Sequence, residues 1–297
     1  MDNVLERLPS GSRVAVIRLR SLGDCVLTTP ALALLKAHRP DLKITVVAEP
    51  RFAAVFEGNP DVDECRPGAA RADLALNLHG GTRSMMLTLA SRAKFRAGFA
   101  HHRYSLLYST RIPAAQQILG VSGRVHTAEH LASAVFFLGV PQTRIPRAKL
   151  FAARPPDLAP YAVIHPFASA AEKTWPAERY AAVALHLRDR LGLEPVFLAG
   201  PADDPGAFRQ FRVSRNEPLE RVKSLLSGAQ MFVGNDSGPA HIAAAFGLPV
   251  VALFGASDPV TWSPWRTEAQ VLSASGSMRS ITVEDVVAAV DARRVKA

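Results

Sequence analysis

Gly234-Asn235-Asp236-Ser237-Gly238-Pro239-Ala240-His241-Ile242-Ala243-Ala244-Ala245 is the stretch on which the fold turns. Met231-Phe232-Val233 before it is a short apolar run and reads as a buried strand. Ala243 to Phe246 reads as a small-residue helix that Gly247 and Pro249 end. Pro249-Val250-Val251-Ala252-Leu253-Phe254 is then the next strand. Asp236, Ser237 and Gly238 therefore fall in a strand-to-helix turn, with Pro239 near the first helical position. Such a turn aims free N–H groups and the positive end of a helix dipole into one crevice, which suits an anion. On these residues alone, Asp236 or Ser237 could equally be an ordinary helix cap.

Outward from this stretch the same alternation recurs. Ala162-Val163-Ile164 and Val196-Phe197-Leu198 read as strands, and Glu178 to Leu191 and Leu219 to Leu226 as helices. Val283 to Val295 closes the chain as an amphipathic helix, a candidate to pack back on the first half. In the first half, Arg13 to Arg18, Lys43 to Ala48 and Leu74 to Leu78 read as strands, with helices from the Ser21–Asp24 turn to Leu35, over Arg83 to Lys94 and over Thr127 to Leu138. Pro30 falls inside the first helix, so a fresh turn is expected to start at Thr28 or Thr29. Residues 95–123 mix aromatics, histidines and arginines and resist assignment. Phe151 to Pro160 is a proline-rich linker, which divides the chain into domains 1–154 and 155–297. Two successive alternations of this kind predict an α/β protein with two Rossmann-like parallel-sheet domains.

The 297 residues, 48% of them hydrophobic, suffice for two cores. The start has no apolar core of a secretory leader, and no apolar run approaches the roughly 18 residues of a membrane span. Cys25 and Cys65 lack metal or redox spacing and read as plain thiols of a reducing, cytoplasmic compartment. Charge is lopsided: residues 1–155 carry 21 Lys/Arg against 11 Asp/Glu, and residues 156–297 carry 14 against 15. No acidic residue lies between Asp73 and Glu129, while Arg83, Arg92, Lys94, Arg96, Arg103, Arg111 and Arg124 do. Such a field favours an anionic partner: nucleic acid, a phosphorylated substrate or an acidic membrane surface. The His101-His102 pair has no second cluster at ligand spacing, so no metal is expected.

In open parallel sheets ligands bind beyond the carboxyl ends of the strands. The turns so placed are Ser21-Leu22-Gly23-Asp24, His165-Pro166-Phe167-Ala168-Ser169, Gly200-Pro201 and Gly234 to Gly238. There is no Gly-x-x-x-x-Gly-Lys-Ser/Thr loop, and no Gly-x-Gly-x-x-Gly after the first strand. These absences count against a P-loop nucleotidase and against dinucleotide redox chemistry. No Asp-x-Asp pair is suited to a metal–diphosphate complex, and Asp203-Asp204 reads as a turn.

Four motifs in order resemble one family. Arg18-Leu19-Arg20-Ser21-Leu22-Gly23-Asp24-Cys25-Val26-Leu27-Thr28-Thr29-Pro30-Ala31 resembles the N-terminal motif of the heptosyltransferases, glycosyltransferase family 9. Lys173-Thr174-Trp175-Pro176 resembles its Lys-x-Trp-Pro segment, Asp236-Ser237-Gly238-Pro239-Ala240-His241 its Asp-Ser/Thr-Gly-x-x-His donor motif, and Phe254-Gly255-Ala256-Ser257-Asp258-Pro259 the turn after the next strand. The resemblance implies a GT-B architecture, two Rossmann-like domains facing a central cleft. It also implies an inverting, metal-independent transfer, with no cofactor, of heptose from ADP-L-glycero-D-manno-heptose to the inner core of lipopolysaccharide. Asp24 would be the general base and Lys173 the catalytic cation at the donor diphosphate. Ser169, Lys173, Gly200, Asp236, Ser237, Gly238 and His241 would bind the donor. Arg20, Ser21, Gly23, Arg83 and Arg103 are candidates for the anionic glycolipid acceptor, with Arg18 and Arg96 also suggested by location.

The implied protein is a cytoplasmic monomer in peripheral contact with the inner face of the inner membrane. Gly200-Pro201-Ala202-Asp203 offers no glutamate for a ribose, which leaves the adenine base open. A nucleotide-sugar epimerase or hydrolase of the same architecture is the rival within enzymes. A basic nucleic-acid-binding protein is the rival outside them, without zinc-finger spacing or an RNA-binding signature to support it.

Overall fold

Val14-Ala15-Val16-Ile17 has no polar alternation, so both faces of its strand must be covered, and all four residues are fully buried. The computed structural model describes residues 3–155, 159–168, 171–274 and 276–294. The chain divides into two compact units, Met1–Leu150 and Phe151–Ala297.

The first unit runs β1 (Arg13–Ile17), α1 (Leu22–His38), β2 (Lys43–Val47), β3 (Glu64–Arg66), β4 (Leu74–Asn77), α2 (Thr82–Ala90), β5 (Phe95–Phe99), β6 (Thr110–Ile112), α3 (Ala115–Leu119) and α4 (Thr127–Leu138). Its six strands are parallel in the order β3-β2-β1-β4-β5-β6. The second unit runs β7 (Tyr161–His165), α5 (Ala177–Leu191), β8 (Glu194–Ala199), β9 (Arg212–Arg215), α6 (Leu219–Gly228), β10 (Met231–Asn235), α7 (Gly238–Phe246), β11 (Val250–Phe254), α8 (Pro259–Trp262), β12 (Ala269–Ser273) and α9 (Val283–Arg294). Its order, β12-β11-β10-β7-β8-β9, is again parallel throughout. Taken from the other edge, it is the same third-second-first-fourth-fifth-sixth order. This is the Rossmann order, whose switch point lies between the first and fourth strands. The ligand ends are therefore the turns after β1 and β4 in one unit and after β7 and β10 in the other.

α1 is buried almost all round, from Gly23 through Leu35, because it packs against α4 as well as the sheet. Pro30 does not restart it, contrary to the sequence expectation. Proline has no N–H to give the Val26 carbonyl, and the Thr29 hydroxyl takes that acceptor instead at 2.8 Å. In the second unit Trp175 stands edge-on to Tyr180 at 4.9 Å, and Phe197 stacks on Phe208 at 4.1 Å. α9 packs on α5 and on the β11–β12 side of its own sheet, and His186 meets Asp291 at 2.7 Å. Among the described residues no helix is long and apolar enough to cross a membrane.

Candidate active site

In the first unit the chain leaves β1 and enters α1 through Arg18-Leu19-Arg20-Ser21. Ser21 is extended and caps the helix, and Asp24 at the third helical position reaches back to it. Asp24 Oδ2 accepts from the Ser21 amide at 3.3 Å and from the Ser21 hydroxyl at 3.0 Å. Its other oxygen pairs with the Arg18 guanidinium. The two side chains are only 11% and 16% exposed, so the pair is shielded from bulk water. Arg18 also donates to the Leu78 carbonyl, which ties the turn after β1 to the turn after β4. Asp24 therefore caps α1 and is also held in one orientation at the switch point.

The turn after β4 hangs on Asn77. Its Oδ1 accepts from the His79 and Gly80 amides, both at 3.0 Å, and its Nδ2 donates to the Ser84 and Thr88 hydroxyls. Four histidines gather around this end of the sheet. His130 stacks on Phe99 at 4.1 Å, His101 stacks on the same ring at 5.4 Å, and His102 stands edge-on to His101 at 5.0 Å. Burial pushes His79 down, aided by Arg18 and Arg20. It pushes His102 down to about 4, aided by His101, His130 and Arg18. His130 is also pushed down to about 4 by burial, with His101 and Arg18 adding to the shift and Asp24 opposing it. Among the described residues no three His, Cys, Asp or Glu side chains are arranged to hold a metal ion.

These shifts set an acid limit. The folded chain disfavours charged His102 and His130, while the unfolded chain takes up protons near the ordinary value of 6.5. Their contribution to stability is complete above about pH 6.5 and is lost as pH falls towards 4. The melting temperature should fall across that window. It should fall less steeply in His130→Phe, which keeps an aromatic ring on Phe99; equal slopes would remove His130 from the effect.

The remaining acceptor candidates scatter. Arg20 and Ser21 are exposed beside Asp24, and Gly23 is buried inside α1. Arg83 meets Glu49 at 3.4 Å, and Arg103 lies over the Tyr104 ring at 5.4 Å. The Tyr104 hydroxyl reaches Thr82 at 3.0 Å, at the start of α2. Arg96 is at the opposite end of the sheet, where its guanidinium donates to the Ala93 and Leu107 carbonyls.

In the second unit Asn235 is the hub. It is fully buried at the end of β10. Its Oδ1 accepts from the Tyr180 hydroxyl at 2.8 Å and the Trp175 amide at 3.3 Å, and its Nδ2 donates to the Pro166 carbonyl at 2.7 Å. One side chain thus fastens the turn after β7 and the Lys173-Thr174-Trp175 segment to the end of β10. Glycine permits two close approaches here. A Cβ on Gly234 would lie 2.7 Å from the His165 carbonyl, and one on Gly255 would lie 2.5 Å from the Glu172 carbonyl beside Lys173.

Asp236 is half-buried, and burial pushes its carboxyl up, against the opposing pull of the Ser257 hydroxyl and Lys173. The Glu172 carbonyl packed on Gly255 and the Trp175 amide on Asn235 bring the Lys173 segment against the turns that carry Ser257 and Asp236. Ser237 occupies the cap position of α7, yet its hydroxyl makes no cap hydrogen bond and is buried without a partner among the described residues. The cap function that the sequence allowed for Ser237 is not exercised. Gly238 begins α7, and His241 is buried in the helix's first turn. The Gly200 amide is taken by Asp203 Oδ2 at 2.7 Å, and Asp204 accepts from Gly206, so the Asp203-Asp204 pair builds a turn. Burial pushes His165, at the end of β7, down to about 4. Ser169 lies outside the described residues.

Sequence reasoning missed both asparagines, the four-histidine grouping and the proximity of Ser257 to Asp236. An amide at the last position of an otherwise apolar strand, before a glycine-bearing turn, was the available signal for Asn77 and Asn235.

The family model of glycosyltransferase family 9 (heptosyltransferase) matches residues 68–288. Lipopolysaccharide heptosyltransferase 3 of Escherichia coli is 30% identical over 295 residues, covering 83% of this chain and 84% of that protein. A glycosyl transferase family 9 structure from Veillonella parvula superposes with a TM-score of 0.86 at 23% identity, over 96% of this chain and 98% of that one. The E. coli heptosyltransferase WaaC solved with ADP superposes with a TM-score of 0.80 at 20% identity, over 95% and 99%.

Proposed function

From the premise that the chain belongs to glycosyltransferase family 9, the heptosyltransferases, we propose that it is an inverting, metal-independent enzyme using ADP-L-glycero-D-manno-heptose as donor. Its acceptor is the lipopolysaccharide inner core. The observation that carries the donor side is the meeting of the Lys173 segment, Asp236, the buried Ser237 hydroxyl and the N-terminus of α7 at the β7–β10 switch point. The ADP with which WaaC was solved supports an adenine nucleotide there.

In this reading the second unit binds the nucleotide sugar and the first binds the acceptor. Asp24 accepts the proton of the acceptor hydroxyl as that oxygen attacks the anomeric carbon. The bond from that carbon to the diphosphate breaks on the opposite face, so configuration inverts, and ADP leaves. Lys173 and the helix N-terminus offset the growing charge on ADP, and Asp236 holds the sugar. Arg18 and Ser21 fix the carboxylate, so its orientation costs little at the moment of reaction. The basic first unit suits the carboxylates and phosphates of an anionic glycolipid better than nucleic acid, for which no motif speaks. The enzyme acts as a monomer on the cytoplasmic face of the inner membrane.

A thermal-shift panel of nucleotide sugars tests the donor assignment. ADP-heptose at about a hundred times its Kd should add about 2.7 kcal/mol to the stability of the native state. That corresponds to roughly 5–10 °C for a unit of this size. A panel in which no nucleotide sugar raises the melting temperature overturns the reading.

A further inference from the structure

The first unit carries a second cationic feature at the end of its sheet opposite Asp24. Arg7, Lys94 and Arg111 line an open depression of about 580 Å³, together with Phe95, Phe137, Ser109 and Thr110. Among the described residues no acidic side chain lines it and none of the three cations has an ion-pair partner. Arg7 sits over the Phe95 ring at 4.8 Å and Lys94 at 5.5 Å, so the aromatic floor presents the charges without cancelling them. Phe95 begins β5 and the histidines follow its end at Phe99, which puts the depression about 13 Å along the strand from the ligand end.

The connection from β5 to the edge strand β6 joins the two ends. It carries Leu106 at 84% exposure and Leu107 at 45%, among the most exposed apolar side chains in the unit. Arg96 fastens this connection to the depression: it donates to the Leu107 carbonyl and to the Ala93 carbonyl beside Lys94, and its amide is bonded to Ser109. Exposed leucines next to clustered, unpaired cations form the composition of a surface that lies on an anionic bilayer.

We propose that this edge of the first unit docks on an anionic phospholipid membrane. Arg7, Lys94 and Arg111 take a lipid phosphodiester, and Leu106 and Leu107 enter the headgroup–acyl boundary. The proposal names the surface behind the peripheral-membrane part of the functional reading. It can fail separately, because vesicle binding requires neither donor nor turnover.

Flotation of the full chain with vesicles tests it. Vesicles of one part phosphatidylglycerol to three of phosphatidylcholine should carry the protein, pure phosphatidylcholine should not, and added salt should weaken the binding. Lys94→Gln with Arg111→Gln should lower the partition coefficient about fivefold per cation, roughly 25-fold together. Leu106→Ser with Leu107→Ser should lower it while leaving the salt dependence in place. Melting curves establish that each variant is folded, and a variant that fails is replaced by Arg7→Gln or by Leu106→Ser alone. Wild-type binding by either folded variant, or no binding of wild type to phosphatidylglycerol vesicles, overturns the proposal. So does stabilisation of wild type but not Lys94→Gln/Arg111→Gln by inorganic phosphate without vesicle binding, which would mark a small-anion site.

Discussion

Asp24→Ala is expected to lower turnover by about 10²–10⁴-fold, about 3–5 kcal/mol of barrier, while nucleotide-sugar affinity stays as in wild type. The split follows from the division of labour proposed above, since Asp24 belongs to the first unit and the donor residues to the second. The substitution also removes the Ser21 contacts and leaves Arg18 without its partner in a shielded place. Stability must therefore be measured beside activity. Asp24→Asn is the sharper variant, because it keeps a side-chain oxygen for Ser21 and loses the base. Single-turnover rates with saturating donor, alongside direct donor titration, separate the two effects. Near-wild-type turnover in folded Asp24→Asn would remove Asp24 from the chemistry.

Asn235→Ala is expected to be the most damaging single change to folding, with a loss of roughly 3–5 kcal/mol. Three hydrogen bonds go at once, and the Trp175 amide, the Tyr180 hydroxyl and the Pro166 carbonyl are left in a dry interior. Burial already holds the Tyr180 phenol far above its ordinary range, so that hydroxyl cannot escape the loss by ionising. Denaturant unfolding gives the figure directly. Donor affinity should drop together with stability, because the Lys173 segment and the turn after β7 lose their common fastening to β10. Unfolding within about 1 kcal/mol of wild type would show that the three partners find water or one another, and the clasp would not be what fixes the turn.

The difference between the two variants reflects what could be seen in advance. β1, β2, β4, β7, β8, β10 and β11 are central strands, largely covered on both faces, and their mainly apolar runs are visible in the sequence. β3, β6, β9 and β12 are the four sheet edges, and none was legible. Glu64-Cys65-Arg66 and Arg212-Val213-Ser214-Arg215 are charged and short, as a strand with one open side tends to be. β5 was lost for another reason. Phe95-Arg96-Ala97-Gly98-Phe99 has a glycine in its interior, and only the structure shows the Tyr108 ring occupying the space above it.

For the site, the turns holding Asp24 and Asp236 could be located because strand–turn–helix punctuation locates them, whereas Lys173 stood out only through the resemblance of its Lys-x-Trp-Pro segment. What fastens those turns could not. Asn77 and Asn235 read as two more polar residues near glycines, and their partners lie up to 69 positions away in the chain. Arg18 beside Asp24 was within reach of local reasoning. The gathering of His79, His101, His102 and His130 was not, since it depends on β4, β5 and α4 converging at one sheet end.

The buried asparagines close the fourth strand of each unit, β4 in one and β10 in the other, and each steadies a ligand-end turn from beneath, Asn77 the one after β4 and Asn235 the one after β7. Each unit is in this respect a cassette whose frame and whose tip are maintained by different residues. Side chains projecting from a tip can be exchanged without unpicking the frame, and a change in one cassette leaves the anchoring amide of the other untouched. Under the division of labour proposed above, a lineage built on such a chain can drift in the glycan it decorates while conserving the activated sugar it spends, and the reverse drift is equally open to it.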